Sequence, residues 1–558
     1  MRTRNWLAPF LAVLVLASAG GSTALAQARA RPVAASSETG GTVTISDETG
    51  STWTCGFNPF NPSVDYLSQG IIYEPLVYID TLTGQQTPWL ASAWAWSNNN
   101  TTLTFTIRSG VSWSDGQPLT AADVVYTFEL MKQHPGLDLN SVWSTLASVV
   151  QQGANQVVMT FTQPSVPYFY FIADDVMIVP QHIWTGIGKP VTNNDSKPVG
   201  SGPFLMQSCT PENISYVRNP NYWQPGLPHI AKVEFPAFLS NDTANSYLAT
   251  DKAQWGGQFI SNIKAAYLAK SNSNHYWFPP LTNNEIFINQ TVPSLKVLAV
   301  RKAMAYAINR SKVAAIGEYG ELPASNQTDI VRPTFSSWYD SSLAAKYNYG
   351  YHPSKAIQIL KAAGYKKNSS GVFVSPGGHP LSFTMINIGD YSDWVASLQI
   401  IEQELSQVGI AVKVRNLSST TYDTLLFDGK YQLAYGAEVP EGPSPYYELR
   451  ETLYSKNSAP IGQAASSNYE RWDSASTDQL LNEYGTTTDL ATQHQIVDQL
   501  EAVMLSEVPT IPVTESVDFY EWSTAKLTGW PTPSDPYAQP SPYVAPDWEV
   551  VLLHLSQK

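Results

Sequence analysis

The stretch from Thr102 to Met131, TLTFTIRSGVSWSDGQPLTAADVVYTFELM, constrains this chain more than any other. Leu103, Phe105 and Ile107 alternate with Thr104, Thr106 and Arg108, the pattern of a strand with one dry face. Ser109-Gly110 turns the chain, Val111 and Trp113 resume the alternation, and Asp115-Gly116 marks a second turn. Thr120 then has the character of a helix cap, with Asp123 as its acidic partner three residues on. Val124, Val125, Phe128 and Met131 follow at helical spacing on one face. Two kinds of regular structure joined this tightly imply a mixed α/β chain.

A chain of 558 residues exceeds one compact core and has room for two or three domains. Charged residues make up only 14% and aromatic residues 12%, which implies a folded protein with aromatic-lined surfaces and not a disordered one. The formal net charge of -14 argues against nucleic acid as a partner. At the N-terminus, Arg2 and Arg4 precede an apolar run from Trp6 to Ala19 that is short for a membrane span. Ala24-Leu25-Ala26 supplies small residues for signal-peptidase cleavage before Gln27, so export is expected. No cysteine follows the apolar run to carry a lipid. A free periplasmic or secreted protein, or one held by an uncleaved anchor, fits this end.

The two cysteines, Cys55 and Cys209, are an even pair in an exported chain and are expected to form a disulfide. It would close a loop of about 150 residues and contribute roughly 5 kcal/mol in the chain-entropy model. Two cysteines and scattered histidines make a metal site improbable, and none is expected. No Gly-x-Ser-x-Gly, His-Glu-x-x-His or Lys-bearing Gly-rich loop is present. Asp174-Asp175 and Glu438/Glu441 are the paired carboxylates that a glycosidase would need, and they read as solvated loop acids. Neither catalysis nor a cofactor is expected.

The string Arg108-Ser109-Gly110-Val111-Ser112-Trp113-Ser114-Asp115-Gly116, followed by Pro118-Leu119-Thr120-Ala121-Ala122-Asp123-Val124, closely resembles the signature of the bacterial solute-binding proteins of family 5. These are the extracellular receptors of oligopeptide-type ABC importers. Four other segments are similar to the family's: Asn58-Pro59-Phe60-Asn61-Pro62, Pro88-Trp89-Leu90-Ala91 with Trp94, Gly200-Ser201-Gly202-Pro203-Phe204, and Arg218-Asn219-Pro220-Asn221-Tyr222-Trp223. The resemblance runs from about residue 42 to the C-terminus. It implies a two-lobed periplasmic-binding-protein fold of type II, in its large three-domain form, with mixed sheets and a hinge.

On that pattern, residues 1–26 are a signal peptide and 27–41 a flexible lead. Domain I takes 42–88, 200–285 and 513–558, domain II takes 89–199, and domain III takes 286–512. The glycines at 200 and 202 are expected to supply positive φ where domains I and II join. Leu381 to Ile388, Asp393 to Val408 and Ile410 to Val414 read as strand, helix and strand with a parallel crossover. The implied partners are a small-molecule ligand and the membrane permease subunits of an ABC transporter, with the receptor itself a monomer. A receptor feeding a membrane kinase remains an alternative role.

Peptide receptors of this family anchor the ligand amine with an Asp in an Ala-Asp-Tyr segment. The matching stretch here, Tyr435-Gly436-Ala437-Glu438-Val439-Pro440, lacks that Asp and offers Glu438. Segments such as Trp255-Gly256-Gly257-Gln258, Tyr276-Trp277-Phe278 and Tyr391-Ser392-Asp393-Trp394 resemble those of the oligosaccharide-binding branch. A sugar ring offers an apolar face for stacking and hydroxyls for hydrogen bonds, so Trp beside Asn and Asp suits it. The expected stacking residues are Trp255 and Trp394, then Trp53 and Trp277, with Asn283, Asn284, Asp393 and Glu438 as polar partners. An oligosaccharide is the expected ligand, an oligopeptide the alternative, and a secreted glycoside hydrolase the rival from another class.

Overall fold

A computed structural model describes residues 40–47, 52–437 and 442–558 of the chain. The segments read as signal peptide and lead lie outside these, apart from Gly40 and Gly41, as does Glu438.

The chain lays down β1 (Thr42–Ser46), makes a short ribbon in which Val77–Ile79 pairs with Gln86–Pro88, and then enters a four-stranded antiparallel sheet. That sheet holds β2 (Ala91–Ser97), β3 (Thr102–Ile107), β4 (Leu146–Gln152) and β5 (Gln156–Phe161), in the order β2-β3-β5-β4. In β3 the residues at 103, 105 and 107 are buried and their neighbours half-buried, as the alternation requires. Helix α1 (Ala121–Gln133) packs on this sheet. It begins with a complete capping box: the Thr120 hydroxyl accepts from Ala122 N at 3.3 Å, and Asp123 accepts from Thr120 N at 2.8 Å.

The chain then returns to β1. Strands β6 (Phe204–Thr210), β7 (Asn213–Arg218), β8 (Lys232–Pro236), β9 (Trp255–Gly256) and β10 (Asn274–Tyr276) build most of a seven-stranded sheet. β1 runs parallel to both β8 and β9 at its centre. Cys55 and Cys209 are bonded, so the loop after β1 is tied to β6.

The glycines at the return point act differently from expectation. Neither Gly200 nor Gly202 has positive φ. They are required by close approach: a Cβ on Gly200 would sit 1.9 Å from the Ile72 carbonyl oxygen, and one on Gly202 2.6 Å from that of Ile71.

A third sheet completes the molecule. It contains β11 (Pro280–Ile288), β12 (Ser382–Ile388), β13 (Ala411–Leu417), β14 (Leu433–Ala437) and β15 (Thr510–Val517), in the order β13-β12-β14-β11-β15. Helix α2 (Leu298–Ala307) follows β11, and α3 (Ser392–Val408) links β12 to the parallel β13, the crossover expected from the sequence. After β14 come α4 (Tyr446–Leu453), α5 (Ala475–Tyr484) and α6 (Leu490–Glu507). β15 then leads to β16 (Glu521–Ser523), which pairs with β9 and β10 in the seven-stranded sheet.

The chain therefore passes between the five- and seven-stranded sheets twice, through residues 277–279 and 518–520. The two passages are adjacent, because Tyr276 faces Glu521 on one side and Pro280 faces Val517 on the other. Trp277 N donates to Tyr520 O at 3.0 Å between them. The sequence-based divisions at 285/286 and 512/513 fall inside β11 and β15. Both strands are buried nearly throughout, and an unbroken buried run carries no mark of where one sheet ends.

Candidate functional site

In the five-stranded sheet, β12, β13, β14 and β15 all end at the edge where β11 begins. Open α/β sheets place ligands outside the carboxyl ends of such strands. At this edge Trp394, in the first turn of α3, meets Tyr435 of β14 edge-on at 5.4 Å and Tyr391 at 5.0 Å. In the paired passages themselves, Phe519 lies 5.1 Å from Phe278 and 5.8 Å from Phe259 of the seven-stranded half. Tyr319 lies 6.1 Å from Phe259.

This end of the cleft is acidic and partly dry. Burial pushes Glu318 up to about 7, against the Ser397 hydrogen bond at 2.6 Å and with help from Asp393. Burial likewise holds Glu321 at about 7 and raises Asp393.

Away from the hinge, the segment 164–171 meets α4 and α5. Tyr447 O–H donates to Pro167 O at 2.9 Å, Val166 N to Gly485 O at 3.0 Å, and Asn100 Nδ2 to Thr486 O at 3.0 Å. The Tyr447 ring stands edge-on to Phe171 at 5.6 Å and to Tyr170 at 5.4 Å. A cavity opens on either side of this contact. One, of about 730 Å³, is lined by Trp94, Trp96, Trp338, Tyr447, Tyr484 and His494 among others. Trp94 and Trp96 share one face of β2 because they are two residues apart. Trp338 lies flat on His494 at 3.8 Å. The other cavity, of about 770 Å³, is lined by Asn140, Tyr168, Arg450, Tyr454, Lys456 and Asn482 among others.

The residues singled out from the sequence are dispersed. Trp53 donates its indole N–H to Phe235 O at 2.8 Å and packs on that ring at 4.8 Å. Trp255 is fully buried, donating to Pro540 O at 2.8 Å with Trp530 against it. These two rings sit in the core of the seven-stranded half and leave no face for a ligand. Trp277 is half-buried in the first passage between the sheets.

Asn283 is spent within the protein. Its backbone N donates to Glu448 at 2.7 Å, its side-chain amide donates to Asp329 at 3.0 Å, and its carbonyl accepts from Ser325. Asn284 is buried and donates to Thr514 at 3.3 Å. Among the described candidates, Asp393 and Trp394 are brought together at the open edge. Asp174 is fully buried and accepts from Ile79 N at 2.9 Å, while Asp175 accepts from Asn140 at 3.2 Å, so this pair is structural. Among the described residues, no group of three His, Cys, Asp or Glu side chains is placed to hold a metal ion.

Sequence reasoning missed Trp96, Trp338, Tyr447 and His494. The Trp94-Ala95-Trp96 alternation carried a signal for a paired surface. The Trp338–His494 stack joins residues too distant in sequence for any local pattern to flag.

Two sheets joined by a double passage, with a cleft walled by both halves, is the geometry of a ligand clamp. Residues 85–460 match the model of the bacterial extracellular solute-binding proteins, family 5. This chain belongs to that family. A periplasmic oligopeptide-binding protein of an oligopeptide ABC transporter from Thermotoga maritima is 27% identical, with a TM-score of 0.86, covering 93% of this chain and 99% of its own. The same protein solved with mannohexaose bound superposes with a TM-score of 0.78 at 27% identity, over 93% of this chain and 98% of the other. The nickel-binding periplasmic protein of Escherichia coli is 23% identical over 405 residues, 70% of this chain and 75% of its own.

The fold is thus the type II periplasmic-binding-protein fold, and the family 5 chain is the substrate-binding component of an ABC importer, not an enzyme. It takes a small ligand and works with membrane permease components. The family is extracellular or periplasmic. Among the described residues, no helix is long and apolar enough to cross a membrane.

Proposed function

We propose that this receptor captures an oligosaccharide between its two halves and delivers it unaltered to the permease. The observation that carries the reading is the 730 Å³ cavity with Trp94, Trp96 and Trp338 in its wall. Flat rings at that density suit the apolar faces of sugars, and no charge need be buried for a neutral guest. Trp394 and Asp393, beside Tyr391 at the hinge end, extend the same chemistry along the cleft. Trp53 and Trp255 are left out of the site because their rings are packed on all sides. That a relative 27% identical was solved with mannohexaose bound supports the reading.

In this proposal the three larger sheets mark three domains, with divisions at 277–279 and 518–520. Residues 1–26 act as the export signal. The second reading, an oligopeptide ligand, is favoured by the name of the same relative, an oligopeptide-binding protein.

Thermal-shift and calorimetric titrations separate the two. Manno-, cello- and xylo-oligosaccharides would be compared with tri- to pentapeptides. A ligand bound between the halves raises the melting temperature by mass action. Stabilisation by a sugar at micromolar concentration, with no reducing ends released, is the expected result. Stabilisation by peptides alone overturns it.

A further inference from the structure

The 770 Å³ cavity differs from the aromatic one in a way that bears on ligand charge. Arg450, in α4, lines it, with its side chain 18% exposed. A guanidinium carries five N–H donors and stays protonated at any working pH. Only Nη1 has a protein acceptor among the described residues, the Glu451 carboxylate. Both Glu451 oxygens have a protein donor: one takes Arg450 and the other takes Asn457 Nδ2 at 3.2 Å. The acid beside Arg450 is therefore engaged with the protein, while most of the guanidinium fork is not.

The surroundings favour an anion further. Lys456 stands at the same cavity with no carboxylate partner among the described residues, 5.7 Å from the Tyr454 ring that Arg450 also approaches at 5.4 Å. Asn482 accepts from the Tyr454 hydroxyl at 3.1 Å, which leaves its amide N–H groups for a guest. Tyr168 and Tyr446 line the same wall. Two cations beside one acid that is paired to Arg450, with aromatic rings and amide donors around them, is the chemistry that recognises a carboxylate carried on a sugar ring.

We infer that the Arg450 cavity holds an acidic unit of the ligand, so that the guest is an oligosaccharide bearing a uronic acid. This rests on the oligosaccharide reading above.

Calorimetry on the full chain tests it with two matched probes: trigalacturonate, and the same trisaccharide with its carboxyls reduced to CH2OH. The acidic probe is expected to bind about tenfold or more tightly than the reduced one, the size of one charged hydrogen bond. Arg450→Gln is expected to abolish that preference while leaving affinity for the reduced probe within about twofold. Because Arg450 is half-buried, Arg450→Lys is measured beside it. It keeps the charge next to Glu451 but loses the fork, and is expected to lose most of the preference with an unchanged melting temperature. Equal binding of the two probes, or a preference that survives Arg450→Gln or Arg450→Lys, overturns the inference while the oligosaccharide reading stands. If neither sugar nor any neutral oligosaccharide binds, and trialanine binds more tightly than its C-terminal amide, both readings fail.

Discussion

Replacing Glu318 with glutamine is expected to leave stability nearly unchanged at pH 4.5 and to raise it at pH 8. Glu318 is 1% exposed, and the groups that face it are the Ser397 hydroxyl, Asp393 and Tyr435, with no cation among them. Its pKa rises from 4.5 to about 7 because burial penalises the anion. Below pH 4.5 the side chain is protonated in both folded and unfolded chains. As pH rises towards 7 the unfolded chain sheds this proton and the folded one holds it, so stability is lost across that window. At about 1.4 kcal/mol for each pH unit separating the two values, the loss approaches about 3 kcal/mol, an upper figure because water entry would relax it.

Glutamine cannot ionise, still accepts from Ser397, and offers the same kind of donor as the protonated acid. Guanidinium unfolding at pH 4.5 and pH 8 reads the difference between the two proteins. Matching curves at both pH values, or a variant weaker at pH 8, would refute the reasoning. The same sign applies to Asp329 and Glu515, held near 7, and to Glu470, Glu501 and Asp547, held near 8, each by burial first. With only 32 Lys and Arg in 558 residues, there are few cations to offset such groups. The wild-type protein is therefore expected to be more stable at pH 5 than at pH 8.

Truncating Trp94 or Trp394 to alanine is expected to weaken sugar binding by about 1–3 kcal/mol in calorimetry, whereas Trp255→Phe should cost stability and leave affinity unchanged. Reducing the Cys55–Cys209 bond, which spans 154 residues of sequence, is expected to lower unfolding stability by about 5 kcal/mol in the chain-entropy model, read by urea titration with and without reductant. Asn283→Ala removes the buried side-chain amide that donates to Asp329 at 3.0 Å and to Glu448 at 3.3 Å, while the backbone N–H to Glu448 stays, and is expected to destabilise by about 1–3 kcal/mol, visible as a fall in the denaturant midpoint.

Local signals carried most of the fold. The alternation in β3, the turns at Gly110 and Gly116 and the Thr120–Asp123 box were legible because each depends on neighbours within a few residues. The β12-α3-β13 crossover was legible for the same reason. The divisions between sheets were not, since β11 and β15 stay buried as they approach the passages and their pattern does not change there. The site was less legible still. Tryptophan marks both a sugar platform and a packed core, and only tertiary neighbours such as Pro540 for Trp255 or Phe235 for Trp53 tell them apart. Gly200 and Gly202 carry the same lesson: their need is for room beside Ile71 and Ile72, and a sequence does not display distance.

The double passage at 277–279 and 518–520 limits how this receptor can move. Two ribbons lying side by side and bonded through Trp277 and Tyr520 can flex like the spine of a book, but they resist shear and cannot part. Gaping must then be widest where Tyr447 meets Pro167 and least beside Phe519. A guest slipping in from the rim would be gripped progressively inward, and one longer than the gap could trail into solvent without preventing the pages from shutting.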